Sequence, residues 1–322
     1  MKIIILYNKP GFQAGADELD VLDEVKLVSQ TLKGMGHESY SQGVGFDLSE
    51  TVTVLRKVNP DLVFNLAESI ENHGMLVHVV PALLSALDIP FTGNTMTPMF
   101  LSASKILTRK ELKNAGLPVA PACTLQEADS LPAGRYILKP VWEEGSLGLE
   151  EDAVFSVPGH DVSKIKSMSS EKYFIESFIG GREFNVSLLA GENGPQVLAV
   201  AEILFEGFPE EKPKVLGYRS KWDEGSFEYQ HTNRTYQLGN DSEKIMQQLS
   251  GLASECWTVM GLQGYARVDF RMDADGNPFI LEVNANPCIS PGSGFYAACV
   301  HAGIPFSEVL KRLIQDALKG RS

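Results

Sequence analysis

Two carboxylates, an amide and a guanidinium lie at alternate positions late in the sequence, a pattern that could bind a metal. Segment 264–287 contains two strand-like runs that flank a turn rich in aspartate, glycine and asparagine, so we predict a β-hairpin. Because side chains alternate between the faces of a strand, four polar residues are expected on one face. They are Arg267, Asp269, Glu282 and Asn284. Carboxylate and amide oxygens suit Mg²⁺ or Mn²⁺, and a neighbouring arginine suits a phosphate or a developing oxyanion.

The opposite face of the hairpin is apolar and is expected to pack into one core. Its members are Ala266, Val268, Phe270 and Met272 on the first strand, and Phe279, Leu281 and Val283 on the second. A hairpin with a solvated polar face is the simpler alternative. It is disfavoured because Glu282 and Asn284 belong to an apolar run that looks buried. A calcium loop at 273–277 is excluded, because Pro278 occupies the position of the required glycine.

The elements before the hairpin predict an open α/β domain over the first ninety or so residues. The residues indicate strands at Ile3–Tyr7, Asp61–Asn65 and Ile89–Thr92, with an amphipathic helix around Leu19–Leu32 and a second helix at Met75–Leu87. Strands separated by helices imply parallel βαβ units.

After Gly93 the pattern changes to short strands with fewer helices. Ser102 or Ser104 could cap a helix that runs through Asn114. Asn240, with Glu243 three residues later, has the spacing of a capping box for a helix over 241–260. Strands are predicted at 136–139, 173–176, 183–189 and 197–203, and the segment 206–235 is irregular.

Length and composition indicate a globular protein of about two domains, at roughly 150 residues each, with three small ones possible. The chain has 322 residues, of which 43% are hydrophobic and 21% charged, so disordered and collagen-like classes are excluded. A net charge of −13 disfavours nucleic acid and anionic membranes as partners. The four cysteines form no Cys-x-x-Cys pair, and neither a signal peptide nor a membrane span is expected, so we predict a cytoplasmic protein.

The hairpin motifs resemble those of a known enzyme family. Arg-x-Asp-Phe at 267–270, followed by Leu-Glu-Val-Asn-x-x-Pro at 281–287, resembles the metal-binding end of ATP-grasp ligases, most closely the D-alanine–D-alanine ligases. The resemblance implies an ATP-grasp fold, α/β with α+β character in the later domains, and an N-terminal Rossmann-like open parallel sheet. It also implies an N-terminal domain (1–95), a central subdomain (96–184) and a C-terminal subdomain with the metal site (185–322).

The resemblance implies roles for the hairpin residues and for two lysines. Asp269, Glu282 and Asn284 would bind two Mg²⁺ ions, with Glu282 bridging them. Arg267 would stabilise the tetrahedral intermediate. Lys105 and Lys139 would contact the phosphates of ATP, for which a flexible point charge is well suited. Taken without the resemblance, either lysine is more typical of a solvated or snorkelling side chain.

Further parts of an ATP site are implied by the same resemblance. The loop 143–148 would fold over the triphosphate, since glycines let backbone N–H groups approach phosphate oxygens. Glu176 and the backbone around Phe178 and Ile179 would bind the adenine, and Glu183 the ribose. The same residues are also typical of a surface turn and of two surface carboxylates.

The region that would bind the substrates differs from the family pattern. Ser293 occupies the position that binds the carboxylate of the second substrate, and Lys221 and Ser146 match catalytic positions of the family. Trp222 stands where the family has a tyrosine, and neither the family's first motif nor its His-Gly and Glu-Asp-Gly segment is found at 8–18 and 65–74. We therefore expect a rebuilt pocket for the first substrate.

The sequence thus predicts an ATP-dependent ligase that joins a small-molecule acid and an amine through an acyl phosphate, with ATP and two Mg²⁺ (or Mn²⁺) ions. One alternative is the same chemistry on other amino acids or on a small-metabolite acid. Another is a nucleotide-binding module without catalysis, which is disfavoured because such a module would not need all four polar hairpin residues. The resemblance also suggests a possible homodimer.

Overall fold

The computed structural model describes residues 1–11, 14–142 and 151–319. Ser146 and the predicted phosphate loop therefore lie outside the described residues. Within the described ranges, no helix combines the length and apolar character required to span a bilayer.

The strands of the described residues form three sheets. They are β1 (Lys2–Asn8), β2 (Glu38–Val44), β3 (Leu62–Asn65), β4 (Ala122–Cys123), β5 (Gly134–Pro140), β6 (Val154–Val157), β7 (Tyr173–Ser177), β8 (Glu183–Gly191), β9 (Gly194–Phe205), β10 (Thr232–Thr235), β11 (Tyr265–Met272) and β12 (Pro278–Asn284).

The α-helices and three short 3₁₀ turns connect these strands. The helices are α1 (Ala16–Gly34), α2 (Leu48–Val58), α3 (Val79–Ala86), α4 (Met96–Ala103), α5 (Lys105–Asn114), α6 (Ser163–Lys166), α7 (Tyr218–Trp222), α8 (Phe227–Gln230), α9 (Ser242–Met260), α10 (Gly294–His301) and α11 (Phe306–Lys319). The 3₁₀ turns are Gly74–Leu76, Leu125–Ser130 and Glu151–Ala153.

The N-terminal sheet is parallel, in the order β2-β1-β3, which confirms the predicted α/β domain. The sequence reasoning missed β2, and it placed a strand at Ile89–Thr92 where the structure has one parallel bridge between Val63 and Phe91. The predicted helix Met75–Leu87 is divided into a 3₁₀ turn and α3. Ser104 caps α5 as expected, its Oγ accepting the N–H of Leu107 at 3.3 Å.

The two remaining sheets carry most of the predicted site residues. One has the order β4-β7-β5-β6 and the other the order β10-β9-β8-β11-β12, and every strand pair in both is antiparallel. One face of the larger sheet packs against α5 and α9 in a hydrophobic core. Burying that face leaves the polar side chains of β8, β11 and β12 directed towards the smaller sheet.

The hairpin forms as predicted, but its second strand contains a β-bulge. Asp269 pairs with Glu282, whereas the next residue, Phe270, pairs with Ile280, so Leu281 is the extra residue. Ile280 and Val283 are buried in the core, in contrast to the prediction that Phe279 and Leu281 would accompany Val283 there. The bulge reverses the alternation, and Leu281 consequently faces the same side as Glu282.

The capping box predicted for α9 is absent. The helix begins at Ser242 with Asp241 as its N-cap residue, and no side chain there accepts a capping hydrogen bond. The predicted N-cap residue, Asn240, was therefore wrong, because it lies one residue before the observed N-cap, Asp241.

Candidate active site

A cleft lies between the two antiparallel sheets and is lined by residues of both. Residues from α5 and α7 also reach it, so five strands and two helices supply side chains to one space. Nine of the predicted site residues line the cleft. They are Lys105, Lys139, Glu176, Phe178, Ile179, Glu183, Lys221, Asp269 and Glu282.

The predicted metal ligands lie side by side on β11 and β12. Asp269 is directly opposite Glu282, and Arg267 is directly opposite Asn284, so their side chains share one face. Asp269 is buried and accepts two hydrogen bonds from Arg267, at 2.8 Å each. Asn185 on β8 donates a third hydrogen bond to Asp269 at 2.7 Å.

Glu282 is surrounded by positive charge. The Nζ atom of Lys105 lies 3.6 Å from Glu282 Oε2, and Asn284 Nδ2 lies 3.5 Å from Glu282 Oε1. Burial acts to raise the pKa of Glu282, but Lys105, Lys221 and Arg267 outweigh it and hold the pKa at about 2. The side chain is therefore ionised across the physiological range.

This donor set fits a hard divalent cation. Two carboxylates and one amide oxygen come from facing positions of two hydrogen-bonded strands, where the backbone fixes their spacing. Lys105 and Arg267 place positive charge beside these carboxylates. A divalent cation bound there would neutralise part of the negative charge of these carboxylates.

A buried ion cluster lies on the opposite side of the cleft. Lys139 on β5 and Arg109 on α5 both donate to the carboxylate of Glu176, which is only 1% exposed. Arg109 also donates to the carbonyl of Ala120, which begins the segment leading to β4. Arg109 was not predicted from the sequence as a site residue. It fixes the position of Glu176, which was predicted.

Arg271 connects the predicted adenosine-binding residues to one another. Its guanidinium donates to Glu183 Oε2 at 2.6 and 3.1 Å and to the carbonyl of Ile179 at 2.8 Å. It also lies over the ring of Phe178, 5.2 Å from the centroid. No role was predicted for Arg271 from the sequence, and the structure shows it holding three predicted residues together.

Lys221 reaches the metal side of the cleft from α7. Its charged end is buried, and this burial lowers its pKa, as does the nearby Arg267. Glu282 and Asp269 oppose that shift, which shows that their charges are close to the lysine. Trp222, the next residue, is partly buried and is not among the residues that line the cleft.

Ser293 lies at the N-terminus of α10, beyond the metal ligands. Its Oγ accepts the N–H of Tyr296 at 3.2 Å, so the residue caps the helix. A Cβ atom built on Gly294, the next residue, would lie 3.9 Å from Nη1 of Arg267. The helix terminus is therefore adjacent to the arginine predicted to act in catalysis.

Comparison with known proteins identifies the family of the chain. A family model described as "D-ala D-ala ligase C-terminus" matches residues 112–315. The D-alanine–D-alanine ligase of Gluconobacter oxydans (strain 621H) is 30% identical over 305 residues, covering 91% of the chain and 94% of that relative. The chain belongs to the D-alanine–D-alanine ligase family.

Further relatives agree with this assignment. The D-alanine–D-alanine ligase of Aquifex aeolicus (strain VF5) is 28% identical over 326 residues, which cover 98% of the chain and all of that relative. The crystal structure of D-alanine–D-alanine ligase from Bacillus anthracis complexed with ATP matches with a TM-score of 0.75 and 18% identity, covering 100% and 98% of the two chains. This likeness shows an ATP-grasp fold, as predicted.

Two carboxylates near the start of α1 form side-chain contacts that were not predicted from the sequence. The hydroxyl of Tyr218, on α7, donates to Asp17 Oδ1 at 3.0 Å. Thus a tyrosine hydroxyl does contact a carboxylate of this segment, although the sequence predicts Trp222 at the family's tyrosine position. Farther along α1, Asp20 accepts a hydrogen bond from the thiol of Cys288 at 2.8 Å. Neither pair has a sequence signal, because each joins residues more than 200 positions apart.

Proposed function

We propose that the protein is an ADP-forming ligase that joins a carboxylate to an amine through an acyl phosphate. The observation that carries this proposal is the arrangement of three lysines and an arginine around Asp269 and Glu282 in one cleft. Phosphoryl transfer requires positioning and charge neutralisation more than covalent catalysis by the protein. The membership of the D-alanine–D-alanine ligase family supports the same reaction class.

The reaction proceeds in two balanced steps. A substrate carboxylate oxygen attacks the γ-phosphorus of ATP, the bond to ADP breaks, and an acyl phosphate forms. The amine nitrogen then attacks the acyl carbon, inorganic phosphate leaves, and the proton of the amine is released as the amide forms. Neither step requires a nucleophile from the protein, which agrees with a cleft built of charged side chains.

The residues of the predicted site are proposed to have different roles in these two steps. Lys105 and Lys139 are proposed to neutralise the phosphates, and Arg267 with Lys221 to stabilise the negative oxygen that develops on the acyl carbon. Glu176, Phe178, Ile179 and Glu183 are proposed to bind the nucleoside. Ser293 is proposed to bind the carboxylate of the amine substrate, and Ser146 to act from the loop over the phosphates.

Asp269, Glu282 and Asn284 are proposed to bind two Mg²⁺ ions, with Glu282 between them. Divalent ions bound there would offset the charge of the transferred phosphoryl group. Arg267 and Lys105 contact these carboxylates and are proposed to act on the reacting groups beside the ions.

The domain division proposed from the sequence is 1–95, 96–184 and 185–322. It is supported by the sheets, each of which lies in one range except that β8 begins two residues before the last boundary. A homodimer is proposed from the family resemblance. A cytoplasmic location is supported by the four cysteines, all of which are free thiols.

The reaction is tested by ADP formation from Mg-ATP with a panel of D- and L-amino acids, followed by mass spectrometry of the products. D-alanine is the first substrate to try, because the relatives are named for it. Glu282→Gln should lower turnover by about 100-fold or more while the fold is kept, since it removes a charge from the metal site. Glu255→Gln, on an exposed position of α9, is the matched control and should be as active as the wild type.

Two outcomes would contradict the proposal. Full activity of the Glu282→Gln variant would exclude the metal assignment. Tight binding of ATP without ADP formation, across acids of several classes, would instead favour a nucleotide-binding module.

A second candidate is the same chemistry on a different acid. It is favoured by the contact of Tyr218 with Asp17 and by the position of Trp222 outside the cleft lining, which together indicate a rebuilt pocket for the first substrate. An amide product from an acid other than D-alanine would select this candidate and leave the mechanism unchanged.

A further inference from the structure

Arg271 is a buried cation at the nucleoside end of the cleft, and the proposed mechanism gives it no role. It is 4% exposed and lies on β11, directly opposite Glu183 of β8. Directly paired residues of neighbouring strands share a face, and both residues line the cleft. The guanidinium therefore lies beside a carboxylate that is proposed to bind the nucleoside.

The guanidinium is held from several directions. It donates to the carbonyl of Ile179 at 2.8 Å and also to the carbonyl of Lys214, which belong to separate segments of the chain. Its Cζ atom lies 5.2 Å from the ring centroid of Phe178 and 5.8 Å from that of Phe205. Because a guanidinium is planar and its donors have fixed directions, these contacts set its orientation before a ligand binds.

This orientation determines which oxygen of Glu183 is available to a ligand. The Nε and Nη2 atoms of Arg271 both donate to Oε2, at 3.1 and 2.6 Å. No hydrogen bond joins Oε1 to another of the described residues. A carboxylate in an ion pair accepts hydrogen bonds and donates none. The pair therefore offers the cleft one acceptor at a fixed place, which suits the hydroxyl group of a ligand.

We propose that Arg271 is a positioning residue that makes the protein select nucleotides by the hydroxyl groups of their sugar. With Oε2 of Glu183 bound to the guanidinium, Oε1 accepts a hydrogen bond from the ribose. A sugar without hydroxyl groups leaves this oxygen of a buried residue without a donor. The inference rests on the proposed function, because it concerns the nucleoside site of that reaction, and it adds the residue that gives the site its selectivity.

The test compares ATP with 2′,3′-dideoxy-ATP, which lacks both hydroxyl groups of the sugar. Calorimetric binding of each nucleotide is measured with Mg²⁺ present, because binding does not depend on catalysis. The wild type should bind ATP about 10- to 100-fold more tightly, the range expected for a hydrogen bond to a charged group. Arg271→Met should abolish most of this preference by weakening the binding of ATP while leaving that of the dideoxy nucleotide almost unchanged.

Two further variants separate charge from position. Arg271→Lys keeps a cation beside Glu183, so it should fold even where Arg271→Met does not, but it lacks the planar fork of donors and should keep only part of the preference. Glu183→Gln should lower the preference in the wild-type background. In the Arg271→Met background it should change the preference no further, because both substitutions act on one contact.

Arg109→Met is the matched control on the opposite side of the cleft. Arg109 pairs with Glu176, the other carboxylate of the nucleoside site, as Arg271 pairs with Glu183. Its loss should weaken the binding of both nucleotides by the same factor, because Glu176 is proposed to bind the base. A sugar preference that needs Arg271, in a protein that forms no ADP with any acid, would retain this inference and reject the proposed function.

Four results would overturn the inference. The first is equal binding of the two nucleotides by the wild type, and the second is an undiminished preference in Arg271→Lys. The third is an Arg271→Met variant that binds both nucleotides less tightly by the same factor, since that pattern indicates a structural role. The fourth is loss of the preference in Arg109→Met as well, which would show a general loosening of the cleft.

Discussion

Glu24 is a buried carboxylate whose ionisation should make the stability of the protein depend on pH. The residue lies on α1, is 2% exposed, and accepts one hydrogen bond from the N–H of Ile289 at 3.2 Å. Burial, with a smaller contribution from the nearby Asp20, raises its pKa from 4.5 to about 8 against the hydrogen bond from Ile289. The neutral acid is therefore the form that the fold contains at pH 7.

The sign of the effect follows from the two pKa values. Between pH 4.5 and pH 8, Glu24 binds a proton in the folded chain and has released it in the unfolded chain. Raising the pH therefore favours unfolding, with a slope that approaches about 1.4 kcal/mol per pH unit. Integrated from pH 5 to pH 8, the contribution of this one residue amounts to about 3.5 kcal/mol lost.

Glu24→Gln is the perturbation that isolates this contribution. The amide keeps an oxygen that can accept the N–H of Ile289 and is neutral in both states. We expect the free energy of unfolding of the variant, relative to the wild type, to rise by about 3.5 kcal/mol between pH 5 and pH 8. Urea unfolding followed by tryptophan fluorescence at each pH measures it, with Asp23→Asn, exposed on the same helix, as the control.

Parallel pH profiles for the wild type and Glu24→Gln would refute the reasoning. Such profiles would mean that Glu24 is ionised in the folded protein and that neighbouring groups offset the free-energy cost of burying its charge. A second check uses Asp20→Asn, which removes a neighbouring negative charge and should make the pH dependence of the wild-type background weaker.

Two other predictions concern the stability of the cleft walls. Gly181→Ala should destabilise the protein by about 3 kcal/mol, because its Cβ would overlap the carbonyl oxygen of Met272, whereas Gly180→Ala, whose nearest neighbour is 3.9 Å away, should be nearly neutral in thermal unfolding. Arg271→Met should cost about 3 to 5 kcal/mol in urea unfolding, because it leaves the buried Glu183 without its partner, and adding Glu183→Gln should recover most of that loss. Equal stability of the two alanine variants, or no recovery in the double variant, would count against these contacts.

The hairpin could be predicted because its signals are local. Alternation placed Arg267, Asp269, Glu282 and Asn284 on one face, and the register of β11 with β12 confirms that they face one another. The strands β5, β7, β8 and β9 were found from their apolar runs, whereas β4, β6 and β10 were not predicted, and β10 lies in the segment predicted to be irregular.

Elements that depend on distant partners could not be predicted in the same way. The strand β2 has the sequence ESYSQGV, which is mostly polar because it lies at the edge of its sheet. The bulge at Leu281 has no signal in the sequence, since any apolar residue of the run could have been the extra one. Arg109 and Arg271 were overlooked because an arginine shows its role only when its carboxylate partners are known.

The bulge in β12 also determines where the chain can gain or lose residues during evolution. Glu282 and Asn284 face the cleft because one residue, Leu281, is extra in β12. Deleting Leu281 would remove the bulge and leave Ile280 opposite Phe270, whereas deleting Ile280 would move Phe279 into the core position opposite Phe270. Chain-length variation should therefore accumulate in the turn at 273–277 and at Leu281, and not at the paired residues Ile280 and Glu282.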